Sequence, residues 1–212
     1  MMLGFEEHVI DSSRADILRA AAVCFMERGY NSTSIDDVAR RLGATKGRIY
    51  HHFPSKADLF AEVFRFGMDR IFDIIEPYRN MPGRAVERWR KLALVHTLEM
   101  TKARALARVV WEGVEMHLRG STTPRQRDVL SDLVKYRGSY AEIFRKTIAE
   151  ARDEGDFHFD DLGVANQVMF MALNSPIFWY SPRQGETVEH IESIARQVVA
   201  FAYRGLGGKE TA

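Results

Sequence analysis

The stretch from Ser34 to Lys56 constrains this chain more than any other, because it contains three helix-start signals and two helix-stop signals within a short span. Ser34 is a helix cap whose hydroxyl suits the amide of Asp37, and the Asp37 carboxylate can reach back, an aspartate form of the capping box. The apolar side of the helix that follows is Ile35, Val38, Ala39 and Leu42. Gly43 stands where a helix end favours positive φ, and Thr45 offers a fresh cap, so only a tight turn separates this helix from the next. That is the spacing of a helix-turn-helix.

In the second helix Ile49 and Phe53 lie four apart and face a core, which leaves Lys46, Gly47, Arg48, Tyr50, His51 and His52 for the remaining surface. Pro54 stops this helix. Ser55 caps the next with Asp58 as the reciprocal acid, and Lys56 falls in its first turn. Between Asp37 and Asp58 there is no acidic residue, whereas Arg40, Arg41, Lys46, Arg48 and Lys56 supply five formal positive charges. Residues 1–60 as a whole hold eight Lys/Arg and eight Asp/Glu, so the positive charge is focused on one feature. Cations placed along a phosphate backbone release counterions, and a focused cluster suits that role.

The run from Arg14 to about Phe66 resembles the TetR family of bacterial transcription regulators. The resemblance rests on Ile17-Leu18-Arg19-Ala20-Ala21, Phe25-Met26-Glu27-Arg28-Gly29-Tyr30, Thr33-Ser34-Ile35, Lys46-Gly47-Arg48-Ile49-Tyr50-His51-His52-Phe53 and Ser55-Lys56-Ala57-Asp58-Leu59-Phe60. It implies an all-α chain of about nine helices. An N-terminal helix-turn-helix domain (13–57) would follow a flexible arm (1–12), and a helical effector-binding and dimerisation domain (58–206) would precede a flexible tail (207–212). It also implies a homodimer, a double-stranded operator, and release by a small-molecule effector, with no cofactor. Carried onto matching positions, Ser34, Tyr50, His52 and Lys56 hold phosphates. Lys46, Gly47, Arg48 and His51 face bases, and Thr45 belongs to the same surface.

Two positions depart from the family pattern: Asp36 stands where a basic residue is frequent, and Arg48 where a small one is usual. The planar fork of Arg48 suits the O6 and N7 acceptors of guanine, which predicts a guanine in each half-site. A phosphate contact and an intramolecular pair with Asp36 or Asp37 are the competing roles.

The chain of 212 residues, 46% hydrophobic and 28% charged, is long enough to bury a real core, and its net charge of +1 excludes a generally polybasic binder. Cys24 is alone, so no disulfide framework forms within the chain, and a reducing cytoplasm is the expected compartment. Glu6, Glu7 and Asp11 make the N-terminus unlike a signal peptide. The most apolar segment, Val164 to Tyr180, is interrupted by Asn166, Gln167, Asn174, Ser175 and Pro176, which suits a buried helix or a dimer seam rather than lipid.

Helical windows are expected from Asp58 to about Tyr78, with Pro77 and the Met81-Pro82-Gly83 group ending the helix. Others run from Ala85 to Thr101, Ala103 to Arg119, Arg125 to Glu154, Leu162 to about Trp179 with a kink at Pro176, and Glu186 to about Tyr203. By family analogy the last two helices pair across a dyad. Val168, Phe170, Leu173, Phe178, Ile191, Ile194, Val198 and Phe201 are the expected seam.

Large or polar-tipped residues on helices that wall the family's pocket are Trp89, His96, Met100, Trp111, Glu115, Phe144, Met169, Phe170, Asn174, Phe178 and Tyr180. For any one of them, plain core packing is the competing role. The Trp179-Tyr180-Ser181-Pro182-Arg183 run resembles TetR-type regulators of lipid or acyl-thioester breakdown, which points to an acyl-CoA-like or lipid-derived effector. A ligand wedged between Trp111, Phe144 and Phe178 would move the linker helix.

Enzymatic signatures are missing. No histidine follows a glutamate by three residues, as di-metal carboxylate bundles require, and there is no HExxH, Walker A, GxSxG, GxGxxG or CxxC. Glu112, Glu115 and His117 read as a solvated face or pocket rim rather than a metal site. The remaining alternatives are a helical interaction module with degenerate DNA binding and a helical-bundle enzyme.

Overall fold

A computed structural model describes residues 12–120 and 123–209, all built from helices and their connections. Three short elements follow the long α1 (Ser12–Ser32): α2 (Ile35–Leu42), α3 (Lys46–His52) and the start of the linker helix α4 (Lys56–Arg79). The larger part comprises α5 (Ala85–Lys102), α6 (Arg104–Arg119), α7 (Pro124–Asp153), α8 (Leu162–Asn174), the single turn α9 (Pro176–Trp179) and α10 (Val188–Gly205). Counting α8 and α9 as one interrupted helix gives the expected nine among the described residues.

The helix-turn-helix is set by its caps. Ser34 accepts the Asp37 amide (3.2 Å) while its own amide donates to Asp37 Oδ2 (2.9 Å), closing the capping box. Gly43 ends α2 in the left-handed region (φ 66°), where a side chain would be strained, and Thr45 then accepts from the Arg48 amide. The Ser34 bonds, helped by Arg28 and Arg40, hold the Asp37 carboxyl down to about 2. Ile17, Leu18, Phe25, Val38, Ile49 and Phe53 are fully or almost fully buried and lock α1, α2 and α3 together.

Two prolines act differently from one another. Pro77 lies in the final turn of α4, which ends at Arg79, one residue from the expected end and just before Met81-Pro82-Gly83. In the final turn the missing amide forfeits only one helical bond, and Asn80 closes the helix. Pro176 interrupts its helix: α8 stops at Asn174, Ser175 keeps helical dihedrals, and Pro176 takes the first position of α9, where a missing N–H costs little.

The 1–12 arm lies outside the described residues except for Ser12, which opens α1, and Ser121 and Thr122 of the α6–α7 connection also lie outside. Of the tail expected from 207, residues 207–209 fold back instead: the Tyr203 hydroxyl donates to the Lys209 carbonyl (2.9 Å) and His158 N–H to Leu206 (2.9 Å).

The helix α8 divides its apolar residues between two faces. Met169, Phe170 and Leu173 point into the core, whereas Val164, Val168 and Met171 face outward beside Phe201 of α10, which is 68% exposed. Phe170 and Leu173 therefore belong to the interior rather than to the seam expected for them, since a helix with apolar residues all round can turn only one stripe outward. Phe178 leans on Trp111 (ring centroids 5.1 Å), while Ile191, Ile194 and Val198 are half-buried along α10. Among the described residues no helix is long and apolar enough to cross a membrane.

Candidate nucleic-acid interface and effector cavity

In α3 only Ile49 is buried, so Lys46, Gly47, Arg48, Tyr50 and His51 project into solvent together with the caps Thr45 and Ser34. His52 is half-buried, its ring 5.2 Å from that of His51. The exposed face is short, convex and closed at its base by buried Phe53, a shape suited to a DNA groove.

The cations on this face are engaged within the protein. Lys46 Nζ pairs with Asp36 (2.9 Å), and Arg40 and Arg28 both reach Asp37 (3.2 and 2.8 Å). Arg41 pairs with Glu27 of α1. Arg48 pairs with neither Asp36 nor Asp37; its Nη2 and Nε donate to the Ser13 hydroxyl at 2.9 and 3.3 Å. Three carboxylates thus temper a cluster that looks free of acids along the sequence, because Glu27, Asp36 and Asp37 reach it through space. Such exposed pairs are weak and yield readily to phosphate.

Lys56 has a different setting. Its ammonium donates to the carbonyls of Tyr30 (2.8 Å) and Asn31 (3.3 Å) and sits 4.5 Å from the Tyr30 ring centre, tying the start of α4 to the end of α1. Tyr30 is also held from the larger domain: Glu112 of α6 accepts its amide (2.6 Å), and Gln126 of α7 donates to its hydroxyl (3.3 Å). Burial pushes the Glu112 carboxyl above its ordinary range.

The second feature is a narrow cavity of about 50 Å³, opening toward solvent, between α4, α5, α6, α7 and α8. Its wall includes His96, Met100, Trp111, Phe170 and Asn174, all expected there, together with Gly67, Met68, Glu99, Leu106, Arg137, Tyr140 and Ile177, which sequence reasoning missed. His96 Nδ1 lies 2.8 Å from the Tyr140 hydroxyl and Nε2 lies 3.1 Å from Asn174 Oδ1. Burial depresses His96 to about 4, so the neutral ring accepts from Tyr140 and donates to Asn174, leaving the Asn174 amide nitrogen unused by His96. Arg70 covers Glu99 through paired contacts.

The other expected pocket residues do not line this wall. Trp89 is wholly buried among Phe157 and Tyr203 and donates to Met169 Sδ (3.1 Å), so it is core. Phe144 stands one layer behind, 5.0 Å from Phe170 and 5.8 Å from His96. Glu115 accepts from Trp111 Nε1 (3.1 Å), Phe178 abuts Trp111 from outside, and the Tyr180 hydroxyl donates to Glu186. Trp111, Phe144 and Phe178 therefore do not enclose one space. The missed Arg137 did leave a signal: it interrupts the stripe Leu130, Leu133, Tyr140, Phe144, Ile148 as its single charged member.

Residues 17–63 match the family described as bacterial regulatory proteins, tetR family, and residues 82–206 match the tetracyclin repressor-like C-terminal domain. The chain belongs to the TetR family. It is a DNA-binding transcriptional regulator. Among TetR-family relatives, the chain is 27% identical to the transcriptional repressor KstR2 of Rhodococcus jostii over 91% of its own length and 90% of that protein. It is 34% identical to the regulator AcrR of Shigella flexneri over 47% of its length and 46% of that regulator. The solved KstR2 of Mycobacterium tuberculosis, a ketosteroid transcriptional regulator, superposes with a TM-score of 0.77 at 23% identity, covering 95% of this chain and 97% of that one.

Proposed function

We propose that this TetR-family chain is a cytoplasmic, non-enzymatic repressor that binds an inverted-repeat operator as a dimer and is released when an organic effector fills the cavity beside His96. Residues 13–57 form the DNA-reading unit and 58–206 the sensing and pairing unit. Ser34, Thr45, Tyr50, His52 and Lys56 position the phosphates, and Lys46, Gly47, Arg48 and His51 meet base edges. The outward stripe of Val164, Val168, Met171 and Phe201 supplies the dyad contact, an apolar patch of the kind that marks a protein interface.

One observation carries the switch. The helix α6 bears Trp111 on the cavity wall and, at the next position, Glu112 bonded to Tyr30 at the base of the DNA-reading unit. Gly113 then brings α6 against Phe64 of the linker helix. A ligand that moves α6 displaces Tyr30 and α4 with it, and so changes the spacing of the two recognition helices, which must meet successive major grooves about 34–36 Å apart. Differential affinity for the two arrangements is what the effector must supply.

The repressor relative KstR2 and the structurally similar AibR, solved with isovaleryl coenzyme A and operator DNA, support an acyl-thioester or lipid-derived effector. The test is selection of bound sequences from a random duplex pool, followed by a screen for metabolites that release the winner. A palindromic winner freed by an acyl thioester or lipid metabolite is expected. Recovery of no common sequence would refute the assignment.

A further inference from the structure

The cavity carries one charge that nothing in the protein answers. Among the described residues no hydrogen bond or ion pair engages the Arg137 guanidinium, and burial alone depresses its basicity. The other ionic groups on the wall cancel, since Glu99 is covered by Arg70 and His96 is neutral. Most of the remaining wall is apolar, with Met68, Met100, Leu106 and Phe170 prominent. A guanidinium stays protonated under any physiological condition, so the half-buried Arg137 sets a positive charge on the cavity wall where only part of its hydration remains. Filling that space with a neutral molecule strips the remaining water from the cation and raises its cost, whereas an anion removes the cost by pairing with it.

We infer that the molecule accepted by this cavity is an amphiphilic anion, whose acidic oxygens are taken by Arg137 in a forked contact while its apolar chain lies along Met100 and Phe170. The inference rests on the reading of this cavity as the effector site and adds the chemical class of the ligand. Arg137 stands within the stripe Leu130, Leu133, Tyr140 and Phe144 of α7, so its aliphatic stem runs along the core side of the helix and brings the charge to the cavity wall. The same chemistry can arrive as a free carboxylic acid or as the phosphates of an acyl thioester.

The test measures ligand binding to the full chain without DNA and, for each ligand, operator affinity in its presence and absence. Thermal shift and calorimetric titration compare straight-chain carboxylates from butanoate to dodecanoate, and 3-phenylpropanoate, each with its own primary amide and its coenzyme A thioester. The variants are Arg137→Met, which folds without a buried charge to satisfy, and Arg137→Lys, which keeps the charge and loses the fork. At least one carboxylate or thioester should bind the native chain about 10-fold or more tightly than the matching amide. Arg137→Met should abolish that difference, and Arg137→Lys should keep part of it.

A carboxylate preference identifies the free acid as the source of the anion, and a thioester preference lost in Arg137→Met identifies the phosphates; both support the pairing. Equal binding of acid, thioester and amide overturns it, as does a preference that survives in Arg137→Met or a failure of every anion to bind. An anion that binds through Arg137 but leaves operator binding unchanged would refute the regulatory reading alone. Release of DNA by acid and amide alike would refute only the present inference.

Discussion

Replacing Gly113 by alanine tests the joint between sensing and DNA reading. A Cβ at this position would lie 2.7 and 2.8 Å from Cδ2 and Cε2 of Phe64, well inside van der Waals contact, and Phe64 is fully buried and has no free side to move into. Overpacking of this kind costs about 1–3 kcal/mol. The gain in helix propensity from glycine to alanine offsets about 1 kcal/mol of that, so the expected net loss is about 0–2 kcal/mol. Gly67 is the internal control: its added Cβ would meet Val110 at 3.3 Å and Leu106 at 3.4 Å, close enough to press but not to overlap, so Gly67→Ala should be near neutral. Urea unfolding at one fixed protein concentration reads both variants, and the double variant Gly113→Ala/Phe64→Leu should recover the loss. Operator affinity of Gly113→Ala should fall as well, because α6 must stand off from α4. If Gly113→Ala were more stable than the native chain by the full helix-propensity gain and bound DNA normally, the close approach of α4 and α6 would not hold.

Arg48→Ala should cost about 1–3 kcal/mol of operator affinity concentrated at one base pair; equal loss on specific and random duplexes would make Arg48 a phosphate contact. Asp36→Asn should free Lys46 from its carboxylate, tighten binding to every duplex and steepen the log–log salt slope by up to about 0.9, and an unchanged slope in anisotropy titrations would count against a DNA contact by Lys46. For His96 the sign follows from a folded value of about 4, below the ordinary imidazole value of 6.5: the unfolded chain takes up a proton that the folded chain refuses. Its contribution to stability is therefore complete above pH 6.5 and falls away as the pH drops towards 4. His96→Gln should show a shallower loss of stability across that window, and denaturation curves at several pH values with the same slope for both proteins would contradict the burial of a neutral imidazole.

The helix-turn-helix was legible in the sequence because its determinants are local: Ser34 with Asp37, Gly43, and Thr45 with Arg48 act within a few residues of each other. Its charge balance was not, since Glu27 reaches Arg41 from another helix. The cavity was harder still. Trp89 and Trp111 each sit among apolar residues on successive helices, yet one is sealed in the core and the other lines the cavity, a difference decided by how distant helices cross. Phe170 and Phe201 likewise look alike in an apolar run until α8 shows which stripe it turns inward. The ends of both segments were legible because prolines mark them: Pro77 falls in the last turn of α4, and Pro176 interrupts the α8–α9 segment while Ser175 keeps helical dihedrals.

Two copies of α3, fixed by symmetry, read matched half-sites. Anisotropy titrations of the selected palindrome, a single half-site and a scrambled duplex over a range of salt concentrations measure it directly. The account predicts preference for the palindrome by about 10³-fold or more, with affinity falling steeply with salt on every duplex. Equal affinity for the palindrome and the scrambled duplex at every salt concentration would contradict it.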